Sequence, residues 1–270
     1  RELPPFFKYK HLLRYFEREE VNTIDDIKHP SIRECLKFLD INKCIELVHH
    51  ADLPAQSGLG SSSTFTVGML SAAYALINQI PSKYQLAQDA IEVEQHRIGE
   101  SVGSQDQTVA AFGGFNRIEF GGYREIEVTP LTISTEKMEN LQDHLMLFFT
   151  GFSRNASDIA QKQIEISSSK TKELDIMIEL CKEAEEKLVS SDMGFLEWGE
   201  MLNEQWKIKK SMTNLITSSK IDSMYEKGLK AGALGGKLLG AGGGGFLLFF
   251  VPPEKQKQLK TDLDSILHVP

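Results

Sequence analysis

The chain has 270 residues, with 30 Lys and Arg against 38 Asp and Glu, for a formal net charge of −8. Hydrophobic residues at 41% and charged residues at 25% match a soluble globular average, which excludes intrinsic disorder and leaves room for one large or two medium domains. An acidic chain lacks the basic footprint that nucleic-acid binding needs, and no run approaches the roughly 18 apolar residues of a membrane span, so neither partner is expected.

Taken in chain order, residues 1 to 28 mix aromatic and charged side chains and carry a helical signal around Tyr9 to Glu19. From Pro30 the pattern sharpens. Ile32, Cys35, Leu36 and Leu39 recur at helical spacing with Pro30 at the start, and Lys43 to His50 then reads as a strand. Phe65 to Ile80 is almost wholly apolar and predicts a buried helix. A second helix is predicted over Lys83 to Arg97, with Leu86, Ala90 and Val93 on its inner stripe. Phe115 to Glu119 and Glu125 to Val128 read as short strands about the Gly121-Gly122 turn, and His144 to Thr150 as an apolar strand.

Three helices are predicted next, over Ala156 to Ile166, Lys172 to Leu188 and Phe195 to Met212. The middle one carries a core-type stripe of Leu174, Met177, Cys181, Ala184 and Leu188. A helix over Ile221 to Lys230, the strand Phe246 to Val251, and a last helix after Pro253 burying Leu259, Leu263 and Ile266 complete the series. Strands and helices mix without strict alternation, which predicts an α+β fold with a domain boundary near residue 140. Cys35, Cys44 and Cys181 show no CxxC spacing, so buried reduced thiols and a cytoplasmic protein are expected.

Two glycine clusters stand out. Pro54-Ala-Gln-Ser-Gly58-Leu59-Gly60-Ser61-Ser62-Ser63 lies between a strand and a helix, where glycines let backbone approach a ligand and the helix N-terminus offers an anion site. It is not a Walker loop, since no Gly-Lys-Ser or Gly-Lys-Thr follows. The bland alternative is ordinary helix capping by Ser61, but capping needs only one serine. The second cluster, Gly235-Gly-Lys237-Leu-Leu-Gly240-Ala241-Gly242-Gly243-Gly244-Gly245, reads as a glycine loop shaping a site beside a strand. A flexible linker would not run into Phe-Leu-Leu-Phe-Phe. Between the clusters lie Glu94, on a helix, and Asp106, after a glycine-bearing turn. A carboxylate beside a nucleotide can ligate Mg²⁺, and a second can take a proton from an acceptor hydroxyl. For Glu94 alone, a solvated helix face is the competing expectation.

The two clusters, their order and the intervening Glu94 and Asp106 resemble the GHMP small-molecule kinases. Pro54 to Ser63 is similar to their second motif and Lys237 to Gly245 to their third. The resemblance implies a ribosomal S5 domain 2-like N-terminal unit, residues 1–140, and a ferredoxin-like C-terminal unit, 141–270. It also implies ATP and Mg²⁺. Pro54, Gly58, Leu59, Gly60, Ser61, Ser62 and Ser63 would hold the ATP phosphates, Ser62 and Glu94 the Mg²⁺, and Asp106 would be the catalytic base. Gly240, Ala241, Gly242, Gly243 and Gly244 would brace the phosphate loop and border the acceptor.

Within the family, Val102-Gly-Ser-Gln-Asp106-Gln107, Ala110-Ala-Phe-Gly113-Gly114-Phe-Asn116, Ser61 to Val67 and Thr150 to Ala156 resemble the D-glycero-D-manno-heptose 7-phosphate kinases. That implies phosphorylation of the anomeric hydroxyl of this sugar phosphate to the 1,7-bisphosphate. The Gln-Asp-Gln is shared with L-fucokinase-like enzymes, the nearest competitor, and a catalytically silent ligand sensor on the same scaffold is the alternative of another class. The family's first motif is absent before Pro54, and the chain begins at Arg1 rather than Met, so a preceding segment is expected. Candidates for holding a second acceptor phosphate are Arg97, Arg117, Arg124, Arg154, Lys207 and Lys237. A homodimer is left open by the sequence.

Overall fold

A computed structural model describes residues 1–53, 57–121, 125–151, 156–190, 194–263 and 267–269. The chain divides into two compact units, Arg1–Ala55 with Gly60–Gly113, and Gln56–Leu59 with Gly114–Pro270. The division at Gly113 and Gly114 lies ahead of the residue-140 boundary expected from the sequence.

The first unit opens on a hairpin, not a helix. Strands β1 (His11–Arg14) and β2 (Arg18–Val21) pair antiparallel, and β1 pairs in parallel with β3 (Ile45–Val48). The helical expectation for Tyr9 to Glu19 fails because nonlocal pairing claims the backbone. Buried Glu19 reinforces it by accepting the Tyr15 hydroxyl at 2.7 Å and the Lys28 amide at 2.7 Å, which ties the hairpin to the segment before the first helix. Helix α1 (Pro30–Phe38) starts on its proline and buries Ile32, Cys35 and Leu36 as the spacing requires.

Helix α2 (Ser61–Leu76) buries Val67, Met69, Leu70 and Ala73, but leaves Gly68, Ser71, Ala72 and Ala75 exposed. Its apolar composition is therefore one-sided in effect, because small residues face out, and Ile80 beyond its end is 97% exposed. Helix α3 (Lys83–Ile91) passes without a break into a π-helical turn, Glu92–Ile98. The short helix α4 (Gln105–Phe112) follows. Leu13, Ile32, Leu36, Leu70, Ala90 and Val93 meet in this unit's core.

The second unit holds the hairpin β4 (Asn116–Phe120) and β5 (Ile126–Pro130), then helix α5 (Thr135–Asp143) and strand β6 (Leu145–Phe149). Helices α6 (Ala156–Ser167), α7 (Thr171–Val189), α8 (Phe195–Met212) and α9 (Ser219–Lys230) lead to β7 (Gly235–Leu238) and β8 (Phe246–Phe250). Helix α10 (Gln256–Asp262) then leads to β9 (Leu267–Val269). The sheet order is β7-β8-β6-β9, antiparallel at every pairing, with helices on the β6-to-β7 and β8-to-β9 crossovers. This is the split βαβ arrangement that a ferredoxin-like unit requires.

Three expectations change here. Gly235 to Leu238 is a strand rather than part of the glycine loop. The α7 stripe is only partly sunk, with Cys181 exposed and Leu188 buried. Of the three thiols only Cys35 is buried; Cys44 is intermediate. Leu259 and Leu263 are buried as predicted, while Ile266 lies outside the described residues. No helix among the described residues is long and apolar enough to cross a membrane.

Trp206 on α8 is fully buried among Phe148, Ile216, Tyr225 and Phe249 of this unit's core. Trp206→Ala is expected to cost about 3–5 kcal/mol, as removal of a large core aromatic does. A denaturant midpoint unmoved by the substitution would refute this ranking of the core.

Candidate active site

In the first unit, α2 begins on Gly60, which sits at φ 71° in the left-handed region that favours glycine. No side chain caps the helix, so Ser61 does not act as the ordinary cap that the bland reading assigned to it. The Ser61, Ser62 and Ser63 amides meet no acceptor among the described residues. A 16-residue helix thus presents open N–H groups and the positive end of its dipole. Such a terminus is made for an anion.

The three serines part ways. Ser62 is exposed, while Ser63 is buried and donates to Glu94 Oε2 at 2.7 Å. Glu94 is 1% exposed, which overturns the solvated-face expectation. It lies in the π-helical turn after α3, a widened turn of a kind often found at functional sites. The same oxygen accepts from Gln107 Nε2 at 2.5 Å. Glu94 Oε1 is buried with no hydrogen-bond partner among the described residues, an arrangement whose desolvation cost is normally relieved by a bound group.

Asp106 stands one residue before Gln107 in the first turn of α4. Its edge is exposed, and its carboxylate accepts no hydrogen bond from a described residue. A Cβ built on Gly60 would lie 3.0 Å from Asp106 Cγ and 3.3 Å from its Oδ1, so a larger residue at 60 is blocked both by contact and by φ. Loss of hydration, then the charge of Glu94, raises the Asp106 pKa above its ordinary value; the same two causes raise that of Glu100. Asp106 thus lies against Gly60 at the open N-terminus of α2, within the electrostatic influence of Glu94.

The second unit contains the other loop. Gly58 (φ 80°) and Gly240 (φ 68°) pack backbone to backbone: a Cβ on Gly240 would lie 2.8 Å from Gly58 Cα. The loop's carbonyls are held by side chains. Gly240 O accepts from Lys209 at 2.5 Å, Ala241 O from Gln163 at 2.7 Å, and Gly245 O from Thr150 Oγ1 at 2.8 Å. In contrast, the amides of Gly240, Ala241, Gly242 and Gly244 meet no acceptor among the described residues. Gly242 packs on Ile216, and Gly243 donates to Ile216 O at 2.8 Å. Leu59 is partly buried, and Pro54 lies outside the described residues.

Sequence reasoning missed Gln107 and Lys209 as site residues. Gln107 was visible only as the neighbour of Asp106. Lys209, in an ordinary helix, gave no signal.

The fold and both loops can now be set beside known proteins. Residues 30–114 match the family model for the GHMP kinases N terminal domain, and residues 185–267 the model for the GHMP kinases C terminal. The chain is 35% identical over 214 residues to the D-glycero-alpha-D-manno-heptose 7-phosphate kinase of Campylobacter jejuni, covering 78% of this chain and 62% of that protein. It is 27% identical over 226 residues to the bifunctional fucokinase/GDP-fucose pyrophosphorylase of Arabidopsis thaliana, covering 79% of this chain and 21% of that one. The crystal structure of a D-glycero-D-manno-heptose 1-phosphate kinase from Bacteroides thetaiotaomicron superposes with a TM-score of 0.70 at 24% identity, covering 96% of this chain and 79% of that one.

Proposed function

The chain belongs to the GHMP kinases, and on that premise we propose that it is an ATP-dependent sugar kinase acting on the anomeric hydroxyl of a heptose 7-phosphate. The observation that carries this reading is the uncapped N-terminus of α2 with Glu94 Oε1 and the Asp106 carboxylate, both without a hydrogen-bond partner among the described residues, gathered at it. The heptose assignment draws on the Campylobacter relative, of which this chain spans less than two thirds.

Each residue then takes a role by its chemistry. The open amides of Ser61 to Ser63 hold ATP phosphate oxygens, and Gly58 and Leu59 shape the approach, with Gly240 braced against Gly58. The residues also fit Mg²⁺. Among the described residues no three or more His, Cys, Asp or Glu side chains cluster, so a fully caged ion is not what the site offers. One carboxylate oxygen from Glu94 and the exposed Ser62 hydroxyl suit an ion that arrives with ATP and keeps its waters. When bound, it neutralises phosphate charge during transfer. Ser63 and Gln107 fix the rotamer of Glu94, so that Oε1 alone is left for the ion.

Asp106 orients the C1 hydroxyl and accepts its proton as that oxygen bonds to the γ-phosphorus and the β,γ-bridging bond breaks, releasing ADP. There is little covalent work for the protein beyond this, so positioning and charge supply most of the rate. A kinase drawing on ATP also suits the cytoplasm.

The test is ADP release with heptose 7-phosphate, L-fucose, galactose and mevalonate. The highest kcat/KM is expected with heptose 7-phosphate. A preference for fucose would instead favour the second reading, which rests on the plant fucokinase relative. Binding of ATP and sugar with no ADP released would identify a silent sensor.

A further inference from the structure

An acceptor carrying its own phosphate needs a place for that group, away from the transferred one. Of the six basic residues that the sequence offers, Arg124 and Arg154 lie outside the described residues. Three others are already paired with carboxylates. Arg97 meets Glu92 at 3.9 Å and lies over the Phe38 ring; Arg117 meets Glu119 at 2.9 Å and Glu185 at 3.4 Å; Lys207 meets Glu204 at 3.4 Å. Lys237 differs. Among the described residues its ammonium has no carboxylate within salt-bridge reach and a single acceptor, Gln205 Oε1, at 2.9 Å.

A second lysine joins it. Helix α8 and strand β7 approach closely because Gly235 faces the backbone of Gly199, with no side chain to hold them apart. Further along the same seam, Gln205 and Lys209, one turn apart on α8, contact Lys237 Nζ and Gly240 O, three residues apart on β7 and the loop after it, so the two lysines occupy neighbouring positions. Burial first, and then the charge of Lys237, pulls the Lys209 pKa down to about 8; burial also lowers that of Lys237. Among the described residues Lys209 likewise lacks a carboxylate, and its one acceptor is Gly240 O. Each ammonium carries three N–H donors, so most remain uncommitted.

Two part-buried cations without a counter-charge among the described residues cost stability. The protein nevertheless holds them directly beside the Gly240 loop, which itself packs on Gly58.

We propose that Lys209 and Lys237 form, within the second unit, a binding site for a phosphomonoester dianion of the kind a sugar-phosphate acceptor carries. This rests on the reading of the acceptor as a sugar phosphate. A dianion placed there satisfies both ammonium groups and removes their repulsion, and the Lys209 contact to Gly240 O couples its arrival to the loop.

The experiment compares heptose 7-phosphate with unphosphorylated heptose, using the full chain with saturating MgATP. The ratio of their kcat/KM values is expected to fall about 10- to 100-fold in Lys237→Gln and in Lys209→Gln, as loss of a charge-assisted hydrogen bond predicts. Lys237→Arg should recover most of the ratio, and the KM for ATP should not move. Equal losses on both sugars would overturn the proposal, since the pair would then only support the loop. A raised KM for ATP would also overturn it, by assigning the pair to the nucleotide. If the wild-type chain phosphorylates no sugar phosphate, it is the functional reading that fails. The subsite is then judged on the wild-type protein with inorganic phosphate as probe. Protection of Lys209 and Lys237 from acylation, read by mass spectrometry, supports an anion site, and no protection overturns it.

Discussion

Asp106→Asn is expected to lower kcat by about 10²- to 10⁴-fold, the range that a lost general base commands, with ATP binding largely intact. The substitution keeps the shape of the side chain and its place against Gly60 while removing its capacity to take a proton. The carboxylate makes no hydrogen bond to a described residue, so the loss should not be masked by unfolding. Its pH dependence has a definite sign. The Asp106 pKa is raised by lost hydration and by Glu94, so the base form disappears at higher pH than in an ordinary aspartate as the solution is acidified. The acid limb of kcat/KM, which reports the free enzyme, should therefore lie above the ordinary aspartate value of about 3.9. Near-normal turnover by the Asn enzyme would remove Asp106 from its role.

Glu94→Gln is expected to separate activity from stability. The glutamine carbonyl can accept from Ser63 and Gln107 as Oε2 does now, and its NH₂ takes the position of the orphaned oxygen. One buried charge disappears, so the melting temperature should hold or rise. Activity should fall by more than the 10- to 100-fold that loss of a merely supporting partner of a metal ligand costs, and the Mg²⁺ concentration for half-maximal rate should climb. Ser63→Ala tests the supporting role itself, with a loss inside that 10- to 100-fold range. A Glu94→Gln protein with lower stability and unaltered Mg²⁺ dependence would show Glu94 to be structural.

Much of this protein is local in origin and could be read from one dimension. Helix α1 follows from Pro30 and the spacing of Ile32, Cys35 and Leu36, and α6 to α9 lie within two residues of the bounds read from the sequence, although the α7 stripe is only partly buried. The two glycine loops were visible because a cluster of glycines before a helix or strand is costly without a close approach to explain it. Gly58 and Gly240, now in backbone contact, meet that condition.

Other features depend on partners distant in the chain. Tyr9 to Glu19 became a hairpin because β1 found β3, some thirty residues on, and sheet pairing outweighed a weak local preference. Strand β9 is three residues long and exists only by its pairing with β6. Gly235 and Gly236 looked like loop residues but serve the close approach of α8 and β8 to β7.

The site divides in the same way. Residue types in order were enough to nominate Glu94, Asp106 and the serines, because composition and spacing are properties of the chain. Which serine supports Glu94, which carboxylate oxygen is left without a partner, and which lysine lacks a counter-charge were decided only by tertiary packing. Those facts are set by side chains 31, 13 and 32 residues apart, in the Ser63–Glu94, Glu94–Gln107 and Gln205–Lys237 contacts, and no periodicity of the sequence encodes such distances.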